Sequence, residues 1–221
     1  MFDLISRYNI LDAFWVTVQL TIFSAIGALV IGTLVAAMRV SPIPVARWIG
    51  TAYVTVIRNT PLTLILVFTS IGLYSTLGWT LGSDEIKVIN YRWAIIGLSV
   101  YTAAFVCESL RSGINTVALG QSEAGRSLGF GFAQNLRFIV LPQAFRAVIA
   151  PLGSVLIALT KNSTVASLIG VVEAAYLMNE MIENEAAILA VGAIFALGFV
   201  VLTLPTGLFF GWLAKRYEVA R

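Results

Sequence analysis

Five stretches without Asp, Glu, Lys or Arg divide the chain: 13–38, 59–83, 93–107, 147–160 and 186–214. A helix needs about 20 mostly apolar residues to cross a bilayer core. The first, second and fifth stretches are long enough alone, whereas the third and fourth hold 15 and 14 residues. These two reach spanning length only with a flanking ionisable residue, Glu108 or Arg146, inside the bundle or snorkelling to the interface. The pattern predicts an all-α integral membrane protein: a single transmembrane domain over 1–221, with spans near 13–38, 59–82, 92–112, 139–160 and 186–212. Prolines 42, 44, 61, 142, 151 and 205 lie at or just inside segment ends, where neighbouring groups in a membrane bundle satisfy the freed carbonyls.

Composition narrows the function. The chain is 59% hydrophobic and 11% charged, against about 25% charged in a typical globular domain. A soluble enzyme, a disordered regulator and a nucleic-acid-binding domain are excluded on that ground, and no nucleic-acid partner is expected. There is no histidine and one cysteine, Cys107, so the commonest metal ligand, the commonest general base and an internal disulfide are all absent. No catalytic residue and no metal site are assigned. An intramembrane protease or lipid-modifying enzyme would need paired acids, a nucleophile–base pair or a metal cluster at membrane depth. The first apolar run is too long for a signal-peptide core and reads as a retained anchor.

With five spans, ten Lys and Arg residues (39, 47, 58, 111, 126, 137, 146, 215, 216, 221) fall on one side and four (7, 87, 92, 161) on the other. The positive-inside rule makes the ten-residue side cytoplasmic, placing the N-terminus outside and the C-terminus inside.

The cytoplasmic segment between spans three and four is not composed like a linker. Gln121 to Gly129 predicts a short helix with Gln121 or Ser122 near its N-cap and Glu123 in the first turn, stopped by Gly129 and Gly131. Ala124, Leu128 and Gly125 are expected to share a small, apolar face that lets another protein approach. Glu108 and Arg111, three residues apart, predict an intrahelical ion pair. Segment 163–182 opens with an apolar stretch too short to cross, followed by Glu173, Glu180 and Glu183. It predicts a re-entrant or surface helix facing outside, with these acids together, as a docking place for a substrate-carrying protein.

Glu123-Ala124-Gly125, Gly129, Ile139, Leu141 and Pro142 resemble the E-A-A, G, I, L-P signature of the membrane subunits of bacterial ABC importers. Arg58-Asn59-Thr60-Pro61-Leu62, Glu108 to Ile114 and Lys161-Asn162-Ser163-Thr164 extend the likeness to the polar-amino-acid permease branch, and within it to the glutamate permease subunits of actinobacteria. Gly125 departs from the usual Ala, and a helix-interior Gly costs about 1 kcal/mol relative to Ala. The resemblance implies a type I importer-like fold in the bacterial cell membrane, with a coupling helix in segment 121–136. Glu123, Ala124, Gly125, Arg126, Leu128 and Gly129 would then contact a cytoplasmic ATPase.

This chain has no G-x-x-x-x-G-K-[ST] loop, so ATP and Mg belong to the partner and this chain binds no cofactor. A second permease subunit, similar or identical, and an extracellular substrate-binding protein complete the expected assembly. The expected substrate is glutamate, with glutamine, aspartate and arginine as alternatives; a membrane scaffold or intramembrane enzyme is the alternative class. A zwitterion needs polar groups at depth, and Arg58, Asn59, Thr60, Lys161, Asn162 and Ser163 are the candidates. Among these, Lys161 could pair with a substrate carboxylate at the outer mouth or simply anchor span four.

Overall fold

The computed structural model describes residues 7–217, and among them the regular structure is entirely helical. The helices are α1 (Ile10–Val40), α2 (Pro44–Asn59), α3 (Leu62–Val67), α4 (Ile86–Asn115), α5 (Leu119–Ser127), α6 (Phe132–Asn135), α7 (Leu141–Asn162), α8 (Ala174–Glu185) and α9 (Ile188–Tyr217). Wide π turns continue α3 over Phe68–Thr76 and join α6 to α7 over Leu136–Val140, and a 3-10 stretch, Ser163–Ile169, extends α7. Four runs are long and apolar enough to cross a membrane: Ile10–Val40, Ile86–Asn115, Phe132–Ile169 and Ile188–Tyr217.

Among the described residues the bent pair Pro44–Asn59 and Leu62–Thr76 makes a fifth if the two are counted as one span. Of the stretch 59–82 expected as the second crossing, the helical part runs from Leu62 to Thr76, and it meets Pro44–Asn59 at a bend of 102°. Pro61 is the reason. It has no N–H to continue the ladder and forces the preceding residue out of the helical region, and Thr60 is extended at φ −97, ψ 128. Helix α2 exposes Val45, Trp48, Ile49 and Val56 and buries Gly50 and Val54.

The core lies between α1 and α4, which approach closely because their contact residues are small. A Cβ on Gly32 would meet the Ala103 carbonyl at 2.8 Å and Val106 Cβ at 2.7 Å. Hydroxyls bridge the same seam: Ser24 donates to the Ile95 carbonyl at 3.3 Å, and Ser99 lies 3.3 Å from the Ser24 carbonyl while donating to Ile95 at 2.6 Å. Small and hydroxylated residues at a helix interface are the usual device where lipid supplies no hydrophobic drive between helices. The outer faces are apolar. In α9 only Val191 and Phe195 are buried, while Leu197, Val201, Leu204 and Leu208 are exposed, the inverse of a soluble surface.

Pro142 stands just after the π turn Leu136–Val140, and Pro151 and Pro205 lie within α7 and α9. Between α7 and α9 the chain leaves the bundle at Gly170, whose φ of +80 suits glycine, and returns through α8.

Candidate functional site

The segment at the end of α4 is built from two short helices tied together. Helix α5 begins at Leu119 with Ala118 as N-cap, three or four residues before the expected cap, so Glu123 lies beyond the first turn and is not placed to complement the dipole there. Gly129 stops it at φ +84. The Phe130 N–H then donates to the Gly125 carbonyl at 3.1 Å, and the Gly131 N–H donates to Gln134 Oε1 at 3.0 Å, opening α6.

Ala124, Arg126, Ser127 and Leu128 face outward, and Leu119 and Leu128 are 81% and 77% exposed. Gly125 does not share that face. It is buried against Asn135 and Ile139: an added Cβ would collide with Ile139 Cδ1 and lie 2.8 Å from Asn135 Oδ1. The departure from Ala at 125 therefore makes room for a close crossing, and α5 remains a regular nine-residue helix.

Asn135 lies within the motif's span but is none of its signature residues, and its partner is 13 positions away, so its role was not legible in the sequence. It is 5% exposed, and its Nδ2 donates to the Ser122 carbonyl at 2.8 Å and the Ser122 hydroxyl at 2.9 Å. Exposed Leu119 was missed too, since the helix was expected to start after it.

At the same end of the bundle, Glu108 accepts from Arg111 Nη2 at 3.1 Å, the expected intrahelical pair. It also pairs with Arg39 of α1 and lies 3.9 Å from Arg58 of α2. Three helices thus bring guanidinium groups to one carboxylate, where sequence spacing showed only one pair. These four side chains, with Val54, Thr55 and Asn59, line a polar cavity of about 450 Å³. Arg58 also stacks over Phe105, 5.5 Å from the ring centroid.

Phe105 borders a second cavity of about 310 Å³ between α4 and α7, lined also by Tyr101, Thr102, Ser154 and Asn162. The Thr102 hydroxyl is buried there without a partner. The expected polar group at 161–163 is divided by this geometry. Asn162 lines the second cavity, Lys161 is exposed and borders neither cavity, and Ser163 is buried with its hydroxyl donating to the Thr160 carbonyl at 2.8 Å. Helix continues past Lys161 as the 3-10 stretch, so Lys161 does not stand at the end of its rod. Thr60 and Asn59 bond backward to the Val56 and Thr55 carbonyls.

The acids of 163–182 are likewise divided. Glu180 and Glu183 are exposed on α8, but Glu173 is fully buried as its N-cap, accepting from the Tyr176 N–H at 2.9 Å and from Thr17. Burial pushes its carboxyl up to about 7, against the lowering effect of those hydrogen bonds. Among the described residues no cluster of three His, Cys, Asp or Glu is placed to hold a metal.

The described residues form a helical bundle with several runs apolar enough to cross a membrane and a clamped short helix between α4 and α7. The chain matches the family described as binding-protein-dependent transport system inner membrane component over residues 12–219, and it belongs to that family. It is 56% identical to the glutamate transport system permease protein GluC of Corynebacterium efficiens over 218 residues, covering 96% of each chain. It is 34% identical to the probable glutamine ABC transporter permease protein GlnM of Bacillus subtilis, covering 99% of this chain and 96% of the other.

Among solved structures it superposes on an amino acid ABC transporter with histidines at a TM-score of 0.80 and 26% identity, covering 94% and 93% of the two chains. The inward-facing MetNI methionine ABC transporter shares the fold at a TM-score of 0.74 and 18% identity, covering 95% and 96%. The expected family and all-helical importer fold are those found.

Proposed function

We propose that this chain is the permease subunit of an ATP-driven glutamate importer, lining the translocation path and coupling it to ATP hydrolysis by a cytoplasmic partner. The observation that carries the coupling half is the build of α5. Ala124 and Leu128, four residues apart, leave a short apolar strip exposed, Leu119 is exposed at the start of the helix, and Gly125 packs α5 onto α6 and the π turn. Glu123, Arg126 and Gly129 complete this contact. The substrate half is supported by 56% identity, over 96% of both chains, to a permease named for glutamate transport.

The assembly in this reading contains two permease subunits, ATPase subunits carrying ATP and Mg, and an extracellular binding protein received near α8. The ten-to-four distribution of basic residues supports an outside N-terminus and a cytoplasmic C-terminus. Arg221, counted there, lies outside the described residues.

The substrate path runs along the α4 face carrying Tyr101, Thr102 and Phe105. Lys161, Asn162 and Ser163 mark its outer end, with Asn162 on the cavity wall and Ser163 supporting the turn. Arg58, Asn59 and Thr60 mark its inner end. Such polar groups replace hydration that hydrocarbon cannot supply. The test is uptake of labelled glutamate by proteoliposomes holding the full complex, with competing glutamine, aspartate and arginine. Glutamate uptake that depends on ATP, resisted by the other three, is expected; preferential competition by arginine or glutamine would reassign the substrate.

A further inference from the structure

Asn135 lies where the two halves of the cytoplasmic segment meet. It is the last residue of α6, and the π turn Leu136–Val140 comes directly after it. A π turn adds a residue to the helical circuit and so rotates the helix on its N-terminal side relative to the helix on its C-terminal side. Here the residue at that junction is buried against α5, and Val140, at the far end of the turn, is buried too.

The contact between α5 and the foot of α7 has few parts. Gly125 admits Ile139 and the Asn135 amide, and the Asn135 Nδ2 donates to the Ser122 carbonyl and hydroxyl. A carbonyl only accepts, so the group facing Ser122 must be the donor end of the amide. The other end, Oδ1, is buried without a donor and packs against Gly125. A buried polar atom left unpaired costs free energy, and the arrangement persists because the donor end holds α5 in place. Outside this contact the segment is largely exposed: Leu119, Gln121, Leu128, Phe132 and Gln134 all face away.

We propose that Asn135 is the positioning residue of the coupling segment, an amide clamp that makes α5 and the continuous helical run Phe132–Ile169 move as one body. A displacement of α5 by a partner would otherwise be absorbed in the Gly129–Gly131 link. With the clamp, it is delivered to α7 and so to the α4–α7 cavity. This rests on the coupling reading above and adds to it the residue that transmits the movement.

The experiment uses the full complex in proteoliposomes and measures glutamate uptake per ATP hydrolysed, with crosslinking from an Ala124→Cys site to the ATPase subunit as a separate readout. Asn135→Ala is expected to lower the uptake-to-hydrolysis ratio about tenfold, the scale of two lost hydrogen bonds, while the crosslink persists. Asn135→Asp keeps the shape but as a carboxylate has no donor for Ser122, and is expected to behave like the alanine variant; a role in packing alone would leave it coupled. In case both variants assemble poorly, the pair Ser122→Cys with Asn135→Cys provides a gain-of-function test. Joining the two thiols with a short bifunctional reagent is expected to restore coupling, and cleaving the link to abolish it. A persistent crosslink with an unchanged ratio in both single variants, or a double variant indifferent to the link, overturns the clamp. Absence of the Ala124→Cys crosslink in the otherwise unaltered complex would instead overturn the coupling reading itself.

Discussion

The Thr17 hydroxyl and the Glu173 carboxylate, 156 residues apart in sequence, lie 3.3 Å apart in a site where both residues are fully buried. The same hydroxyl accepts from the Ala174 N–H at 3.1 Å, so α1 and the start of α8 are stitched at one point. Because Glu173 is raised from 4.5 to about 7 by burial, the folded protein holds a proton that the unfolded chain releases between those values. Its contribution is therefore fully present below about pH 4.5 and is lost as pH rises through about 7, with an upper bound of about 3 kcal/mol. Thermal unfolding in detergent is expected to show a melting temperature that declines across this window. Glu173→Gln, a neutral cap of the same shape, is expected to flatten the decline. An equal slope in both proteins would mean that Glu173 is not the titrating group.

Gly32 is expected to tolerate no side chain. Its Cβ position is blocked by a backbone carbonyl, Ala103 O at 2.8 Å, which cannot rotate aside. Gly32→Val is expected to destabilise the bundle by about 1–3 kcal/mol through overpacking. Gly192, with nothing within 4 Å of the equivalent point, is expected to accept alanine without loss. Melting curves of the two variants, followed by aggregation of the detergent-solubilised protein, check the contrast.

Replacing Ala124 by Trp puts bulk on the exposed face of α5 without touching its buried side. Membrane insertion and melting temperature are expected to stay unchanged while ATP-driven uptake falls by tenfold or so, the scale of 1–3 kcal/mol of overpacking at a docked surface. Gly125→Leu acts from the opposite side, against Asn135 and Ile139, and is expected to lower the melting temperature as well. If Ala124→Trp destabilises the isolated chain, α5 is not facing away from it.

At the proposed outer end of the substrate path, the Lys161 side chain is exposed, whereas the Ser163 hydroxyl is already engaged by the Thr160 carbonyl. Lys161→Met is expected to reduce glutamate uptake about tenfold, the scale of one charge-assisted hydrogen bond, and Ser163→Ala to leave it within twofold. Initial uptake rates with matched complex levels decide this. Unaltered uptake in Lys161→Met together with its loss in Arg58→Met would move the charge partner to the inner end of the path.

Topology is testable with single cysteines, since native Cys107 is buried. An impermeant thiol reagent applied to intact cells is expected to label Ser83→Cys and not Ser127→Cys. The reverse pattern would invert the chain and detach α5 from a cytoplasmic partner.

Read from sequence alone, the long apolar runs and the place of the short helix before α6 were legible in charge gaps, composition and a short motif. These are local properties: a bilayer excludes charge over a fixed thickness, so span length is written directly in the spacing of ionisable residues. The bend at Thr60–Pro61 was also written locally, in a proline at the start of the second apolar run. Tertiary structure alone decided which polar groups meet. Arg39 and Arg58 join the local Glu108–Arg111 pair from two other helices, Glu173 leaves its exposed neighbours to pair with Thr17 of α1, and Asn135 reaches Ser122 across a turn. Each of these partnerships depends on the crossing of two helices. A crossing is set by side-chain packing summed over many residues, and residue spacing along one strand of sequence carries no record of it.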